Sequence, residues 1–128
     1  MNNYEIIKAH YAASDKKDLA GMLAPLTECS EWTEMAGFPC AGTYMGPEEV
    51  FKNVFKVLGQ EWDDYGFALE RLIDGGNSII GVGTYSGIYK ATGKKMQARV
   101  VHIWELENQK VKKFEQFTDT LLIDRAMR

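Results

Sequence analysis

The stretch from Arg99 to Asp119 constrains most strongly how this chain can fold. Its sequence predicts a strand that ends at residue 107, a tight turn that includes Asn108, and a second strand over residues 110–119. His102 is the only histidine that falls in a predicted strand. Because an isolated hairpin is barely stable in water, further strands and a layer of helices must cover one of its faces.

Length and charge limit the kinds of protein that this chain can be. Its 128 residues, 45% of them hydrophobic, are enough for one core and too few for two ordinary domains, so we expect a single domain over residues 1–128. Acidic and basic residues are mixed and give a net charge of -3, without the basic stripe that nucleic-acid binding needs. The absence of a signal peptide and of an apolar run of ~18 to 20 residues predicts a cytoplasmic protein that does not bind membranes.

The cysteines and histidines do not form a recognisable metal motif. Cys29 and Cys40 are the only cysteines, and neither takes part in a Cys-x-x-Cys or Cys-His spacing. We therefore expect two reduced, partly buried thiols, with no disulfide, no metal site and no cofactor.

Three helices are predicted in the N-terminal half. Apolar residues at three- and four-residue spacing predict the first over residues 4–13, and a short second helix ends at Pro25. Pro47 begins the third, since proline at a first helical position loses no needed N–H group, and Gly59 ends it. A short edge strand is expected over residues 28–35, between the second and third helices.

The C-terminal half predicts strands separated by turn residues. Four antiparallel strands are expected, over residues 66–73, 78–90, 95–107 and 110–119. The glycines at positions 81, 83 and 87 do not form a phosphate-binding loop, because such a loop joins a strand to a helix; within a strand, glycines mark bending or close backbone approach. The order ααβαββββ predicts a cone-shaped α+β roll of the cystatin-like kind. Three N-terminal helices would cover the concave face of a strongly curved antiparallel sheet, with a pocket between them.

Five short segments together resemble one known family. They are YAASDKKDL at 11–19, EWTE at 31–34, GTYMG at 42–46, HIW at 102–104 and FEQFTD at 114–119. In this order, and over nearly the whole chain, they resemble the SnoaL-like branch of the nuclear-transport-factor-2-like superfamily. The resemblance implies the same fold, and the superfamily includes ketosteroid isomerases, polyketide cyclases, epoxide hydrolases and dehydratases.

The resemblance to ketosteroid isomerases implies roles for three residues. It places Glu34 at the position of the carboxylate base, and it places His10 and His102 where the isomerase has its two oxyanion donors, a tyrosine and a protonated aspartic acid. Both donors are imidazoles here, which disfavours steroid isomerisation itself. Polyketide cyclases and epoxide hydrolases have an acid where this chain has Gln116, an amide that cannot transfer a proton, which disfavours those reactions.

Strand alternation identifies the side chains that share a face with His102. A two-residue turn at Asn108 and Gln109 would place Glu115 opposite His102, whereas a three-residue turn would place Gln116 there. We favour the three-residue turn, because Asn-Gln lacks the glycine that is usual in a two-residue turn. The same face then carries Val100, Trp104, Phe114, Gln116 and Thr118.

These residues define a candidate site. We predict Glu34 as a general base and His102 and His10 as hydrogen-bond donors, although His102 in a packed core and Glu34 at a solvated rim are the structural alternatives. The predicted substrate-binding residues are Trp32, Tyr44, Tyr85, Val100, Trp104, Phe114, Gln116 and Thr118. Large aromatic side chains in a small pocket favour a flat or apolar ligand.

The site supports two predicted functions and the sheet a third. The first is proton abstraction next to a carbonyl, and the alternative is non-catalytic binding of a small apolar or aromatic molecule; an interaction module is a third. The outer sheet face, with Val82, Val101 and Ile103, is too apolar for a solvated surface and predicts a homodimer through this face. Asp119, at the end of a predicted strand, is expected to cap or tie the C-terminus.

Overall fold

The computed structural model describes residues 1–128 and has a mixed α+β fold built on one curved six-stranded sheet. The α+β class and the curved sheet were predicted from the sequence, but with five strands. The strand order is β2-β1-β6-β5-β4-β3. The helices are α1 (Asn3–Asp15), α2 (Leu19–Leu23), α3 (Gly46–Val50), α4 (Lys56–Glu61) and α5 (Thr120–Ala126). The strands are β1 (Leu26–Glu34), β2 (Gly42–Met45), β3 (Trp62–Gly75), β4 (Ser78–Tyr89), β5 (Lys95–Glu107) and β6 (Lys110–Thr118).

Helix α1 forms one side of the core. It begins after Asn2, whose side chain accepts a hydrogen bond from the backbone N–H of Glu5 at 2.8 Å, so one of the free amides at the helix start is satisfied. Ile7, His10 and Tyr11 repeat at helical spacing and are buried. This helix therefore carries one histidine and one tyrosine into the interior.

The third predicted helix contains an irregularity. Helix α3 begins at Gly46-Pro47, as predicted, but it continues into a π-helical segment, Phe51–Phe55, before α4. Gly59 does not end the helix but lies within α4, and Trp62 begins β3 directly after it. A π-helical turn shifts the side chains that follow it around the helix axis. Val54 within the π-helical segment and Leu58 in α4 are both buried.

The sheet differs from the prediction at the end formed by β2 and β1. Strand β1 pairs with β6 in parallel, so the sheet is mixed rather than antiparallel throughout. Strand β2 was not predicted, because the glycines and the proline around it indicated a loop; it pairs antiparallel with β1, with Trp32 opposite Tyr44. Strand β1 is therefore an inner strand rather than an edge strand.

The C-terminal helix was also not predicted. Asp119 Oδ1 accepts a hydrogen bond from the backbone N–H of Leu122 at 3.3 Å and caps the start of α5. The predicted capping role of Asp119 is thus confirmed. The helix is only seven residues long, too short for a clear apolar period, and it buries Ile123 and Ala126.

The central hairpin of β5 and β6 corrects one prediction and confirms another. The turn has two residues, Asn108 and Gln109, with φ angles of 51° and 64°, so the predicted three-residue turn is wrong. Both residues adopt the left-handed conformation that a primed turn requires, even without glycine. A register shift at Lys112 then adds one residue to β6, and Gln116 lies opposite His102 as predicted.

Several general features follow from this structure. None of the helices has both the length and the apolar composition that a membrane crossing requires. Cys29 is exposed and Cys40 is buried, and both are free thiols. The fold does not bring three or more His, Cys, Asp or Glu side chains together in a group that could bind a metal ion.

Candidate functional site

A cavity of about 420 Å³ lies between the helices and the sheet. Residues of α1, α2, the π-helical segment and α4 line one side, and residues of β1, β3, β4, β5 and β6 line the other. Six of the predicted site residues are on its wall: His10, Trp32, Glu34, Tyr85, His102 and Phe114. The sheet curvature brings β1 and β3, which are separated by three strands, to the same cavity.

The other five predicted site residues do not line the cavity. Trp104 and Gln116 are fully buried behind it and hydrogen-bond to tyrosines on its wall. Val100 is a core residue, the Tyr44 hydroxyl donates to the carbonyl oxygen of Cys40, and the Thr118 hydroxyl donates to the carbonyl oxygen of Arg99. Strand parity thus identified the correct face of the sheet, but not the limits of the cavity on that face.

Five aromatic residues on the wall were not among the predicted site residues: Tyr11, Phe55, Trp62, Tyr65 and Phe67. Tyr11 belongs to the apolar stripe of α1 and had the pattern of an ordinary core residue. Trp62 and Tyr65 precede residue 66, where the strand was predicted to begin. Strand β3 begins at Trp62, and the correct boundary would have placed both residues in the sheet beside the others.

A chain of hydrogen bonds crosses the floor of the cavity. The Trp104 indole N–H donates to the Tyr11 hydroxyl at 2.8 Å, and this hydroxyl lies 2.8 Å from His102 Nδ1. His102 Nε2 lies 2.7 Å from the Tyr85 hydroxyl, which accepts a hydrogen bond from the Gln116 amide at 2.8 Å. Both ring nitrogens of His102 are therefore occupied by tyrosine hydroxyls.

His102 is neutral in this environment. Burial and, to a smaller extent, the positive charge that His10 carries when protonated lower its pKa from 6.5 to about 3. Aromatic rings surround it, with Phe67 stacked at 4.7 Å and Phe114 at 4.9 Å between ring centroids. A neutral imidazole has one N–H donor and one acceptor nitrogen, so its two hydrogen bonds run in opposite senses.

His10 is also neutral and has a fixed tautomer. Burial lowers its pKa from 6.5 to about 4, although a hydrogen bond with the backbone of Met22 opposes this shift. Nδ1 lies 2.8 Å from the Met22 carbonyl oxygen, which can only accept, so Nδ1 carries the proton. In this tautomer Nε2 is an acceptor, and His10 can donate from Nε2 only if the ring is protonated.

Glu34 is the single carboxyl group buried in the cavity wall. Its side chain is at the end of β1, the residue is 4% exposed, and Oε2 has no hydrogen-bond partner. Burial raises its pKa from 4.5 to about 8; the nearby Trp32 indole N–H opposes part of this rise, although neither Trp32 Nε1 nor Glu34 Oε2 forms a hydrogen bond. Glu34 is thus mostly protonated at neutral pH.

The cavity is uncharged inside and charged outside at neutral pH. The titratable groups inside it are the two neutral histidines, protonated Glu34 and three tyrosines. Burial raises the pKa of each of these tyrosines, Tyr11, Tyr65 and Tyr85, above the ordinary value of 10. The charged lining residues are exposed; they are Lys17, Asp63, Asp64 and Lys90. The site is therefore an aromatic cavity with one carboxyl group and several hydroxyl groups.

This arrangement defines an α+β protein with an aromatic cavity between its helices and its sheet, and comparison with known proteins gives the family. The family model described as SnoaL-like domain matches residues 7–114, and the chain belongs to this family. A search of curated proteins returned no match. A solved NTF2-like protein from Burkholderia thailandensis is 53% identical, with 100% of this chain and 98% of that chain covered and a TM-score of 0.99.

More distant structures share the fold. An NTF2-like protein of unknown function from Burkholderia pseudomallei is 27% identical, with a TM-score of 0.89 over 98% of this chain and 97% of that chain. A putative SnoaL-like polyketide cyclase from Shewanella denitrificans is 11% identical, with a TM-score of 0.78 over 98% of this chain and 96% of that chain. At this identity the cyclase supports the fold alone.

Proposed function

We propose that this protein catalyses a cofactor-free proton transfer at a carbon next to the carbonyl group of a small, uncharged aromatic molecule. The main support is Glu34, a buried carboxyl on the cavity wall whose Oε2 has no partner and whose pKa is raised to about 8. A carboxylate with a raised pKa is a stronger base than one in water, and a pKa near the working pH suits proton transfer in both directions.

The proposed reaction begins with the ionised form of Glu34. The carboxylate takes a proton from the carbon, and the electron pair of the C–H bond moves to form an enolate whose negative charge is mostly on the carbonyl oxygen. Protonated Glu34 then returns the proton to the same carbon or to another carbon of the enolate system. The net result is exchange or isomerisation, so neither an oxidant nor a second substrate is required.

The enolate oxygen needs hydrogen-bond donors, and the tyrosine hydroxyls are the best candidates. The sequence assigned this role to His102 and His10. However, both nitrogens of His102 are engaged with Tyr11 and Tyr85, and Nδ1 of His10 donates to Met22. We therefore assign the donor role to the tyrosines on the cavity wall, with His102 as their hydrogen-bond partner. One such donor to a developing oxyanion typically contributes roughly 3 kcal/mol.

The lining of the cavity supports an uncharged, flat ligand. Trp32 and Phe114 stack with 3.8 Å between ring centroids on one side, and Tyr65 packs against both Trp62 and Tyr85 on another. A charged ligand would lose its hydration in the cavity without meeting a buried group of opposite charge. An aromatic ketone fits these conditions better than a carboxylate of the same shape.

A matched pair of ligands and a pair of variants test this proposal. We expect 2-acetylnaphthalene to bind, as measured by calorimetry, and 2-naphthoate to bind at least tenfold more weakly. Glu34→Gln is expected to abolish turnover of aromatic ketones while binding is retained, because the amide keeps the size of the side chain but cannot accept the proton. Glu31→Gln changes an exposed carboxylate of the same strand and should leave turnover unchanged.

Two outcomes would contradict the proposal. Full activity in Glu34→Gln would exclude Glu34 as the base. Binding of ketones without turnover of any of them would replace the enzymatic function with the alternative one, a binding protein for aromatic molecules.

The outer face of the sheet supports a proposed homodimer. Val82 pairs with Val101, and Val101 pairs with Phe117, so these apolar residues form a continuous patch across three strands. Phe117 is 44% exposed in the single chain. Association of two copies through this face would remove the patch from water.

A further inference from the structure

The hydrogen-bond chain on the cavity floor has one more proton than it has links. Tyr11, His102 and Tyr85 each carry one proton on a hydroxyl or ring nitrogen, whereas only two links join them, at 2.8 Å and 2.7 Å. Each link uses one proton. The third proton therefore belongs to a hydroxyl group that is free to donate elsewhere.

The tautomer of His102 decides which tyrosine has this free proton. If the ring proton is on Nδ1, His102 donates to Tyr11 and accepts from Tyr85, and the Tyr11 hydroxyl proton is free. If it is on Nε2, Tyr11 donates to His102 and His102 donates to Tyr85, so the Tyr85 hydroxyl proton is free. The two arrangements need no movement of heavy atoms.

Groups that can only donate flank the chain at both ends, so the free proton cannot be used there. The Trp104 indole can only donate, so it always uses one lone pair of the Tyr11 oxygen. At the other end, the backbone N–H of Met35 donates to Gln116 Oε1 at 3.4 Å, which orients the amide so that Nε2 donates to Tyr85. Neither tyrosine can therefore place its free proton on these neighbours.

The Tyr85 end of the chain is the end beside Glu34. Glu34, Tyr65 and Tyr85 all line the cavity, and the backbone N–H of Met35, the residue after Glu34, donates to Gln116, which in turn donates to Tyr85. Tyr65 packs 5.4 Å from Tyr85 between ring centroids, and the Tyr65 hydroxyl, like Glu34 Oε2, has no hydrogen-bond partner. Tyr11, by contrast, packs its hydroxyl against the backbone of Gly81.

From this geometry we propose that His102 is a positioning residue whose tautomer selects the tyrosine that offers a free hydroxyl proton to the ligand. In the Nε2–H tautomer, Tyr85 donates to the ligand oxygen beside Glu34. This role rests on the proposed function, in which that oxygen belongs to the enolate. Only the direction of the hydrogen bonds changes; both hydroxyl groups keep their protons, because burial holds their pKa values above 10.

Nitrogen-15 NMR of histidine-labelled protein measures the tautomer directly. The chain has only two histidines, and His10, whose proton is fixed on Nδ1 by Met22, is the internal reference. Two variants should shift the His102 equilibrium in opposite directions. Gln116→Leu removes the fixed donor to Tyr85, so Tyr85 accepts from His102 more readily and the Nε2–H form should increase. Trp104→Phe removes the fixed donor to Tyr11, so the Nδ1–H form should increase.

We expect each variant to change the ratio of the two tautomers by about fivefold, the effect of one hydrogen bond of ordinary strength. A ratio that is identical in the wild type and in Gln116→Leu would overturn the proposal, as would shifts of both variants in the same direction or a doubly protonated His102 at neutral pH. Trp104 is a large core residue, and if Trp104→Phe does not fold, Gln116→Leu decides the question alone. The ligand-free protein is used, so a failure here is distinct from a lack of ketone turnover in the wild type.

Discussion

The buried carboxyl of Glu34 should make the stability of this protein depend on pH in an unusual sense. Its pKa is about 8 in the folded chain and takes its ordinary value of 4.5 in the unfolded chain. Between these two values the native state keeps a proton that the unfolded state has released. Stability contributed by this group is thus fully present below pH 4.5 and is lost as the pH rises toward 8.

The magnitude follows from the size of the shift. Each pKa unit corresponds to about 1.4 kcal/mol, so the full effect of Glu34 is about 5 kcal/mol, a large part of the stability of an ordinary domain. The two histidines act in the opposite sense, because their lowered pKa values destabilise the fold below pH 6.5. The wild type and Glu34→Gln both contain the two histidines, so the contribution of the histidines cancels when the unfolding free energies of these two proteins are compared.

Urea unfolding of the wild type and of Glu34→Gln at pH 5 and pH 9 tests this reasoning. The unfolding free energy of the wild type, relative to the variant, should fall by about 4 kcal/mol between the two pH values, less than the full effect because the unfolded chain is already largely ionised at pH 5. Glu31→Gln, an exposed change on the same strand, should follow the wild type at both. A relative change below about 1 kcal/mol for Glu34→Gln would refute the raised pKa, and with it the argument for a buried base.

Two further predictions concern the cavity floor and the outer face. A methyl group in Gly81→Ala would lie 2.9 Å from Cζ of Tyr11 and still closer to its hydroxyl, so this variant should lose about 1–3 kcal/mol of stability and displace Tyr11 from His102. Gly59→Ala meets no atom within 4 Å and is the control in thermal unfolding. Phe117→Lys should convert the proposed dimer to a monomer in sedimentation experiments at micromolar concentration; a wild type that is already monomeric would contradict the dimer.

Local sequence patterns were sufficient for most of the fold. The four long strands appear within a few residues of their predicted limits because turn residues separate them, and α1 follows its apolar period. Strand β2 was missed because the glycines and the proline near it indicated a loop, and helix α5 was missed because it is short. Strand β2 is held by its pairing with β1, with Trp32 opposite Tyr44, which the pattern of four residues does not reveal.

The candidate site was less accessible from sequence. The face of β5 that carries His102 was predicted correctly, yet by an incorrect route: the two-residue turn and the extra residue at Lys112 compensate for each other. Parity could identify a shared face, but not which of its residues border the cavity. Tyr11 illustrates the limit of this approach. Its spacing in α1 is that of a core residue, and only the tertiary structure shows that its hydroxyl is hydrogen-bonded to His102.

Hydrogen–deuterium exchange into an aromatic ketone tests the central claim most directly. The protein is incubated with 2-acetylnaphthalene in deuterated buffer, and NMR follows the loss of the methyl protons next to the carbonyl group. The account predicts exchange faster than in buffer alone, with a rate that rises as Glu34 ionises and levels off above its pKa of about 8, and no such exchange with Glu34→Gln. A rate equal to that of buffer, or an equal rate in Glu34→Gln, would contradict it.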